Sequence, residues 1–275
     1  MQKIKLLAMD IDGTLVKDAY SDTSDVDADA VRRAQEAGVK VTLATGRLFN
    51  LTRRWLDMFD ITEPVISING ADIRSFEKTY YMDDIPVENV KEVFECFRDT
   101  PLSRYISADN LIYHTKGDSF PTLKERWDFG YMGDCPAYIG ENDKEVFDAL
   151  QGKQIQKVLI WAREDKDIAT LHEMAEQFRD KFSVVRGDHA NLEFNSCSTS
   201  KGSGLKKLAD FYGFDLSETM AIGDSGNDVD IIRTAGVGVA MGNSMKEAMD
   251  VADYVTADVL SGGVAQAIDK FVFGA

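Results

Sequence analysis

A run of apolar residues from Ile4 to Met9 ends directly in two acidic residues, Asp10 and Asp12. A continuous apolar run of this length is typical of a strand buried on both faces of a parallel sheet. A helical stretch and two further apolar runs follow it, at Asp27–Ala37, Val39–Ala44 and Pro64–Ile68. This order of strands and helices predicts an α/β fold with a doubly wound parallel sheet.

The same order of elements resumes near the end of the chain. There the pattern predicts helices and strands at Lys201–Tyr212, Thr219–Ile222, Asp228–Ala235, Val237–Met241 and Tyr254–Thr256. Ser244-Met245-Lys246-Glu247 matches a capping box and predicts the start of another helix. We therefore expect both ends of the chain to build one sheet.

The middle of the chain has a different character. Over residues 80–188, amphipathic helices alternate with half-buried strands, separated by breaks rich in Gly, Pro and Asp. We predict a core domain of residues 1–82 and 189–275 and an inserted α/β cap domain of residues 83–188. We expect hinges where the chain passes between them, near Tyr80–Pro86 and Gly187–Asn191.

The acidic pair after the first strand has the chemistry of phosphoryl transfer. In an open α/β sheet, ligands bind at the carboxyl ends of the strands. The carboxylate of Asp10 could attack phosphorus and form an aspartyl-phosphate. The carboxyl group of Asp12 could then protonate the leaving oxygen and later deprotonate water. Asp and Gly are also common in ordinary turns, so this pair alone does not identify an active site.

A second acidic loop, Gly223-Asp224-Ser225-Gly226-Asn227-Asp228, follows another apolar run. Carboxylate and amide oxygens are hard ligands that suit Mg²⁺. A solvated loop before a helix would have a similar composition, because an acid there favours the helix dipole. The recurrence of acidic strand ends in one predicted sheet favours a metal site.

Two weaker signals accompany the acidic loops. Thr45-Gly46-Arg47 follows the second strand, where a hydroxyl and backbone N–H groups could hold a phosphate oxygen. Lys201 opens a helix after a polar run, and a lysine there could stabilise phosphoryl charge. Each would be an ordinary helix cap or surface lysine if it stood alone.

In this order, the four motifs resemble the haloacid dehalogenase (HAD)-like hydrolases, specifically the Cof-like phosphatase branch with a type IIB cap. The resemblance covers nearly the whole chain and includes Asn69-Gly70-Ala71 and Val239-Ala240-Met241-Gly242-Asn243. It implies a Rossmann-like core with an inserted cap. It also implies a magnesium-dependent phosphoric monoester hydrolase that acts through an aspartyl-phosphate.

The resemblance also implies roles for individual residues. Asp10 would be the nucleophile and a Mg²⁺ ligand, and Asp12 the general acid and base, binding the metal through its backbone carbonyl. Asp224 would supply the other carboxylate to the metal, with Asp228 in support. The phosphoryl oxygens would be held by the backbone of Ile11 and by Thr45, Gly46, Lys201 and Asn227. Asn69 and Glu193, which lie beside these motifs in the sequence, are possible substrate contacts.

The chain departs from the family pattern at a few positions. Ser225 stands where Gly is usual, and Ile231 where Met is usual. Near the end, Gly262-Gly263-Val264 replaces the usual Asp-Gly-Val and removes an acid from a loop near the site. This last change calls the polar contacts around the site into question, but not the four motifs.

The charge of the chain limits its partners. Its formal net charge is −16 at pH 7, which argues against a nucleic-acid backbone or an anionic membrane as partner. An anionic substrate would need a local cation, such as a bound metal. The three cysteines form no CxxC pair and the N-terminus resembles no signal peptide, so we expect a cytoplasmic protein. We expect it to be a monomer or a weak homodimer.

Alternative functions stay open at this point. A sugar phosphomutase would use the same acids but return the phosphoryl group to a sugar. A non-catalytic phosphate- or metal-binding module would keep the fold without turnover. For a phosphatase we expect a small organic phosphoester, such as a sugar phosphate or similar metabolite, with the cap choosing among them.

Overall fold

A computed structural model describes residues 3–17, 21–118 and 137–275 of the chain. Its strands are β1 Leu6–Met9, β2 Lys40–Leu43, β3 Val65–Ser67, β4 Asp72–Arg74, β5 Thr79–Met82, β6 Ser103–Ala108, β7 Leu111–Thr115, β8 Ala137–Gly140, β9 Ile155–Trp161, β10 Phe182–Asp188, β11 Asn191–Ser196, β12 Thr219–Gly223, β13 Val237–Ala240 and β14 Tyr254–Val255. Its helices are α1 Asp25–Glu36, α2 Arg53–Met58, α3 Val87–Cys96, α4 Asp143–Ala149, α5 Ile168–Ala175, α6 Lys201–Tyr212, α7 Val229–Thr234, α8 Lys246–Met249 and α9 Gly263–Ile268.

A parallel sheet with the strand order β14-β13-β12-β1-β2 forms the centre of the core. Alternate residues of β1 enter two different apolar clusters, because successive side chains of a strand point to opposite faces. Leu7 and Met9 pack with α1 and α9 on one face, whereas Leu6 and Ala8 pack with α6 and α7 on the other. The predicted α/β fold with a doubly wound parallel sheet is confirmed.

The third predicted strand does not extend this sheet as expected. β3 pairs antiparallel with β4, which pairs with β5, and β3 reaches β2 only through one parallel bridge between Ala44 and Ile66. The chain turns at Ile68, Asn69 and Gly70, whose φ angles are all positive. This tight turn returns the chain beside β3, so a hairpin forms there in place of a further parallel strand.

The inserted part is built on a second sheet with the order β10-β11-β9-β6-β7-β8. Its pairs are antiparallel except for β7 with β8. Helices α3, α4 and α5 contribute buried apolar residues to one shared cluster with this sheet. The insertion therefore has its own hydrophobic core, and we refer to it as the cap.

The predicted boundary of the cap at residue 188 is wrong. β11 pairs with β9 and β10 in the cap sheet, although it was predicted to belong to the core. The reason is that alternate side chains of β11 are apolar, and two of them, Leu192 and Phe194, pack into the apolar cluster of the cap. The chain thus leaves the cap after Ser196.

The predicted hinge at Gly187–Asn191 is also wrong, because this segment is the turn between two paired strands of the cap. The chain returns to the core through residues 197–200. The side chain of Thr199 donates a hydrogen bond to Asp83, which lies on the outgoing connection. The two connections between core and cap are therefore tied to each other.

A side chain from a distant part of the chain caps the last helix of the core, α9. Gly262 precedes α9 without a side-chain cap, and the buried carboxylate of Asp27 accepts from the backbone N–H of Ala265 at 2.7 Å. Asp27 thus supplies the acid that is missing at Gly262. The capping box predicted at Ser244 is not formed, because the Ser244 hydroxyl donates to the carbonyl of Gly223 and Met245 precedes α8.

Among the helices of the described residues, α1 and α6 are the longest, with 12 residues each. Within the three described ranges, we find no helix with the length and apolar character needed to cross a bilayer. The buried apolar faces of α1 and α6 pack into the two clusters of the core.

Candidate active site

Three carboxylates meet at the carboxyl ends of β1 and β12. These strands are neighbours in register, and the Asp10 N–H donates to the carbonyl of Ile222 at 3.0 Å. Oxygens of Asp10, Asp224 and Asp228 lie within 4.8 Å of one another. The acidic strand ends predicted to lie together thus do so, because adjacent parallel strands end at the same edge of the sheet.

Gly13 allows the first loop to pass directly over Asp224. Its φ of +85° is in the left-handed region, and a Cβ atom there would lie 2.3 Å from Oδ2 of Asp224. The next residue, Thr14, donates from its hydroxyl to Oδ1 of Asp224 at 3.1 Å. The turn predicted from Gly13 therefore also positions the second acidic loop.

Lys201 lies between two of these acids with no exposed surface. Its Nζ is 2.7 Å from Oδ1 of Asp10 and 2.6 Å from Oδ1 of Asp228. Burial disfavours its charged form, but the two carboxylates outweigh that effect and raise the pKa of Lys201. Lys201 is therefore a fixed cation beside Asp10, although its position at the start of α6 would suit a surface lysine.

Asp228 supports the loop from within. Its Oδ2 accepts hydrogen bonds from the backbone N–H groups of Asp224 and Ser225, both at 3.0 Å. The Ser225 hydroxyl, which replaces the usual glycine, lies within hydrogen-bond distance of the same oxygen at 3.2 Å. The carboxylate of Asp228 thus holds the loop in the conformation that presents Asp224.

The electrostatics of the cluster favour a divalent cation. Burial raises the pKa of Asp10 to about 7, with Lys201 opposing the shift, and raises that of Asp224 to about 9, with the other two acids adding to it. Deprotonating all three acids would leave an excess of negative charge beside one lysine. Carboxylate oxygens this close together are a donor set that fits Mg²⁺.

Asp12 lies apart from this cluster. Its carboxylate accepts two hydrogen bonds from Arg47, one of them from Nε at 2.7 Å. The guanidinium of Arg47 also stacks on the buried ring of Trp55 at 5.0 Å. The Asp12 side chain is 45% exposed and that of Arg47 only 10%. A fixed cation thus orients an accessible carboxylate, a contact that sequence reasoning missed.

The predicted phosphate-binding residues lie around the same strand ends. Thr45 is buried, and its hydroxyl accepts from the Arg47 N–H at 3.2 Å. Asn227 donates to Oδ1 of Asn69 at 3.1 Å, and the N–H of Asn69 donates to the carbonyl of Thr45 at 2.9 Å. The left-handed turn at Asn69 thus joins two of the predicted loops. The phosphate-binding roles of Ile11, Thr45, Gly46, Lys201 and Asn227 stay predictions.

Glu193 reaches the site from the cap. It lies on β11, and its Oε2 accepts from the side chain of Asn69 in the core. Lys157 of β9 donates to Oε1 of Glu193 at 2.6 Å and to the carbonyl of Gly46 at 2.7 Å. Lys157 is a second residue missed in the sequence, although a lysine inside a strand of apolar residues could have drawn attention to it.

A cleft of about 520 Å³ opens beside these residues. Asn69 and Asn227 of the core and Asn195 of the cap are among the residues that line it. Such a cleft between two domains is a common place for a small-molecule ligand. The candidate active site is therefore bounded by both domains.

The chain is similar to known hydrolases over nearly its whole length. The family model of the haloacid dehalogenase-like hydrolases matches residues 7–268. The Bacillus subtilis protein YxeH is 30% identical over 98% of both chains. The 5-amino-6-(5-phospho-D-ribitylamino)uracil phosphatase YcsE of the same species is 27% identical, over 98% of this chain and 96% of its own.

A solved structure gives the same result. The structure of the HAD subclass IIB sugar phosphatase BT4131 is similar with a TM-score of 0.82 and 25% identity, over 97% of this chain and 98% of its own. The likeness extends across the parallel sheet and the inserted cap. The chain belongs to the haloacid dehalogenase-like hydrolases and is a Cof-like phosphatase of that family.

Proposed function

We propose that this phosphatase hydrolyses small organic phosphoesters in a Mg²⁺-dependent reaction through an aspartyl-phosphate on Asp10. The observation that supports this most strongly is the setting of Asp10, buried at a strand end between Lys201 and two further acids. Asp12, which is held apart by Arg47, leaves a second carboxyl group accessible for proton transfer.

The metal would bind to Asp10, to Asp224 and to the backbone carbonyl of Asp12, with Asp228 holding the loop. The donor set of clustered carboxylates supports this assignment. Mg²⁺ would supply positive charge to the phosphoryl oxygens and orient them for in-line attack. Its charge would also favour the ionised form of Asp10.

The residues of the chain divide the reaction between them. An Oδ atom of Asp10 attacks phosphorus, and the bond to the leaving oxygen breaks as Asp12 gives that oxygen a proton. Asp12 then takes a proton from the water that attacks the aspartyl-phosphate, and inorganic phosphate leaves. Lys201, Asn227 and the Thr45–Gly46 turn would stabilise the charge on the phosphoryl oxygens throughout.

The substrate would be a small metabolite phosphate, such as a sugar phosphate. YcsE is a phosphatase for a phosphorylated ribitylamino compound, and BT4131 is a sugar phosphatase. The cleft beside Asn69 and Asn227 has room for a small organic group, although Asp10 and Asp224 do not line it. Because the net charge of −16 repels an anionic substrate, a local positive charge is needed. Lys201 together with the metal would supply it.

The test is release of inorganic phosphate from a panel of phosphoesters. We expect EDTA to abolish release, Mg²⁺ to restore it and Ca²⁺ to restore it poorly, because calcium coordination is looser. Asp10→Asn should lose essentially all turnover, since an amide cannot attack phosphorus. Full activity in EDTA, or near-native rates for Asp10→Asn, would exclude this mechanism.

The same panel separates the alternatives. A phosphomutase would return phosphate to a sugar and require a sugar bisphosphate, so phosphate would not accumulate in proportion to substrate. A non-catalytic module would release no phosphate from any compound in Mg²⁺. Stoichiometric release of phosphate from a monophosphate would rule out both.

A further inference from the structure

The contact between cap and core contains a buried pair of opposite charges. Lys157 and Glu193 are 5% and 6% exposed, and their charged atoms are 2.6 Å apart. They lie on the neighbouring strands β9 and β11 of the cap. Burying two ions is costly, so a pair at this position needs a reason beyond stability.

The pair faces the core because of strand alternation. Val158 and Phe194, which follow Lys157 and Glu193, pack into the apolar cluster of the cap on the opposite face. Asn195 shares the face of Glu193 and lines the cleft. The side of the sheet that carries the pair is therefore the side turned toward the candidate active site.

The pair also touches the turn proposed to hold phosphate. Nζ of Lys157 is 2.7 Å from the carbonyl of Gly46, and a Cβ atom on Gly46 would lie 3.4 Å from both carboxylate oxygens of Glu193. Asn69 binds Glu193 and also accepts from Asn227 of the second acidic loop. The pair is therefore in direct contact with the turn proposed to hold phosphate.

From these contacts we infer that Lys157 and Glu193 are specificity-determining residues that select phosphoesters with an uncharged, hydroxyl-bearing leaving group. Within the described ranges, two of the three N–H groups of Lys157 have acceptors, so one N–H can donate to a hydroxyl oxygen. The remaining lone pairs of Glu193 can accept from a hydroxyl. A leaving group that carries its own negative charge would instead be repelled by the carboxylate of Glu193. Lys157 would not offset this repulsion, because its charge is already balanced by Glu193.

This inference rests on the proposed function, and its test uses two substrates of nearly equal size. Glycerol phosphate has a neutral leaving group, whereas phosphoglycerate carries a carboxylate at the same place. We expect the wild type to favour glycerol phosphate in kcat/KM. Where turnover of either compound is too slow to measure, its inhibition constant against an aryl phosphate gives the same comparison.

Two variants, each of which removes one charge of the pair, should shift the preference in opposite directions. Glu193→Gln should raise the ratio of phosphoglycerate to glycerol phosphate by about tenfold or more, because it removes a negative charge in a poorly solvated place. Lys157→Gln should lower that ratio, because it leaves the negative charge of Glu193 without a neighbouring positive charge. If the role of the pair were purely structural, each variant would lower kcat/KM for both substrates by the same factor and leave the ratio unchanged.

The controls separate electrostatics from misfolding. Lys144→Gln changes an exposed lysine of the cap, which pairs with Asp148, and should not move the ratio. The double variant of Lys157→Gln with Glu193→Gln leaves no unpaired buried charge, and its ratio should lie between those of the single variants. Circular dichroism and Tm would establish that each variant is folded.

Shifts in the same direction, or no shift in folded variants, would overturn the inference while leaving the proposed function intact. A wild type that hydrolyses no phosphoester in Mg²⁺ would instead refute the proposed function. The two failures therefore give different results in one set of assays.

Discussion

Asp10 and Asp12 are one residue apart but lie in different surroundings. Asp10 is 5% exposed and contacts Lys201, whereas the side chain of Asp12 is 45% exposed and is bound by Arg47. A buried acid in a cluster of carboxylates and beside a lysine is suited to nucleophilic attack. An accessible acid that a planar guanidinium holds in a fixed orientation is suited to proton transfer.

At the residue scale, Asp12→Asn should lower kcat by about 10²–10⁴-fold for an alkyl phosphate, since the leaving oxygen loses its proton donor. The loss should be much smaller for an aryl phosphate, whose leaving group needs less protonation. The check is steady-state kinetics on both esters. Asp10→Asn serves as the control and should lose activity equally on both; an equal loss for Asp12→Asn would contradict the assigned role.

At the scale of elements, the turn at Ile68–Gly70, which follows β3, packs against the start of α6. Gly70 has a φ of +88°, and a Cβ atom there would lie 2.2 Å from the backbone carbonyl of Ser200. Because Ser200 caps α6, pushing it away would displace Lys201 from Asp10. The close approach of this turn to α6 thus helps to set the geometry of the acid–lysine pair.

Gly70→Ala should therefore reduce both stability and activity. Gly38→Ala is a matched control, since Gly38 has a φ of +87° but nothing within 4 Å of an added Cβ. Each substitution should lose about 1–2 kcal/mol of unfolding free energy from left-handed strain. Only Gly70→Ala should also lose most of its kcat/KM. Equal activities in the two folded variants, measured beside chemical denaturation, would refute this coupling.

At the scale of the whole molecule, the acid cluster makes stability depend on pH and metal. The pKa of Asp10 is raised by burial from 3.8 to about 7 and that of Asp224 to about 9, so without metal the folded chain retains protons that the unfolded chain releases. The contribution of these groups to stability is fully present below about pH 4 and is lost as the pH rises through 7 toward 9.

We therefore expect the Tm of EDTA-treated protein to fall between pH 5 and pH 8 more than in a variant with Asp224→Asn, which lacks one of these acids. Mg²⁺ should raise the Tm more at pH 8 than at pH 5, because it binds the deprotonated acids. Differential scanning calorimetry would measure both effects. Asp57→Asn, at an exposed ion pair with Arg53, should behave like the wild type. A Mg²⁺ shift that Asp224→Asn leaves unchanged would place the cation elsewhere.

Short-range patterns were sufficient to predict the parallel sheet of the core and its acidic strand ends. The apolar run before Asp10 identified a strand buried on both faces, because such a strand has no solvent-facing side to alternate. The acids after two such runs were expected at one edge of the sheet, and they meet because β1 and β12 are neighbours in it. The order of the motifs along the chain was therefore enough to indicate the family.

Tertiary packing alone decided which side chains pair across long distances in the sequence. β11 joined the cap because its apolar face fits the apolar cluster there, although it follows the predicted boundary. Lys157 contacts Gly46, and Arg47 contacts Asp12, because separate elements pack against each other. Residue spacing specifies the local strand or helix, whereas these contacts depend on the relative positions of whole sheets, which no local period encodes.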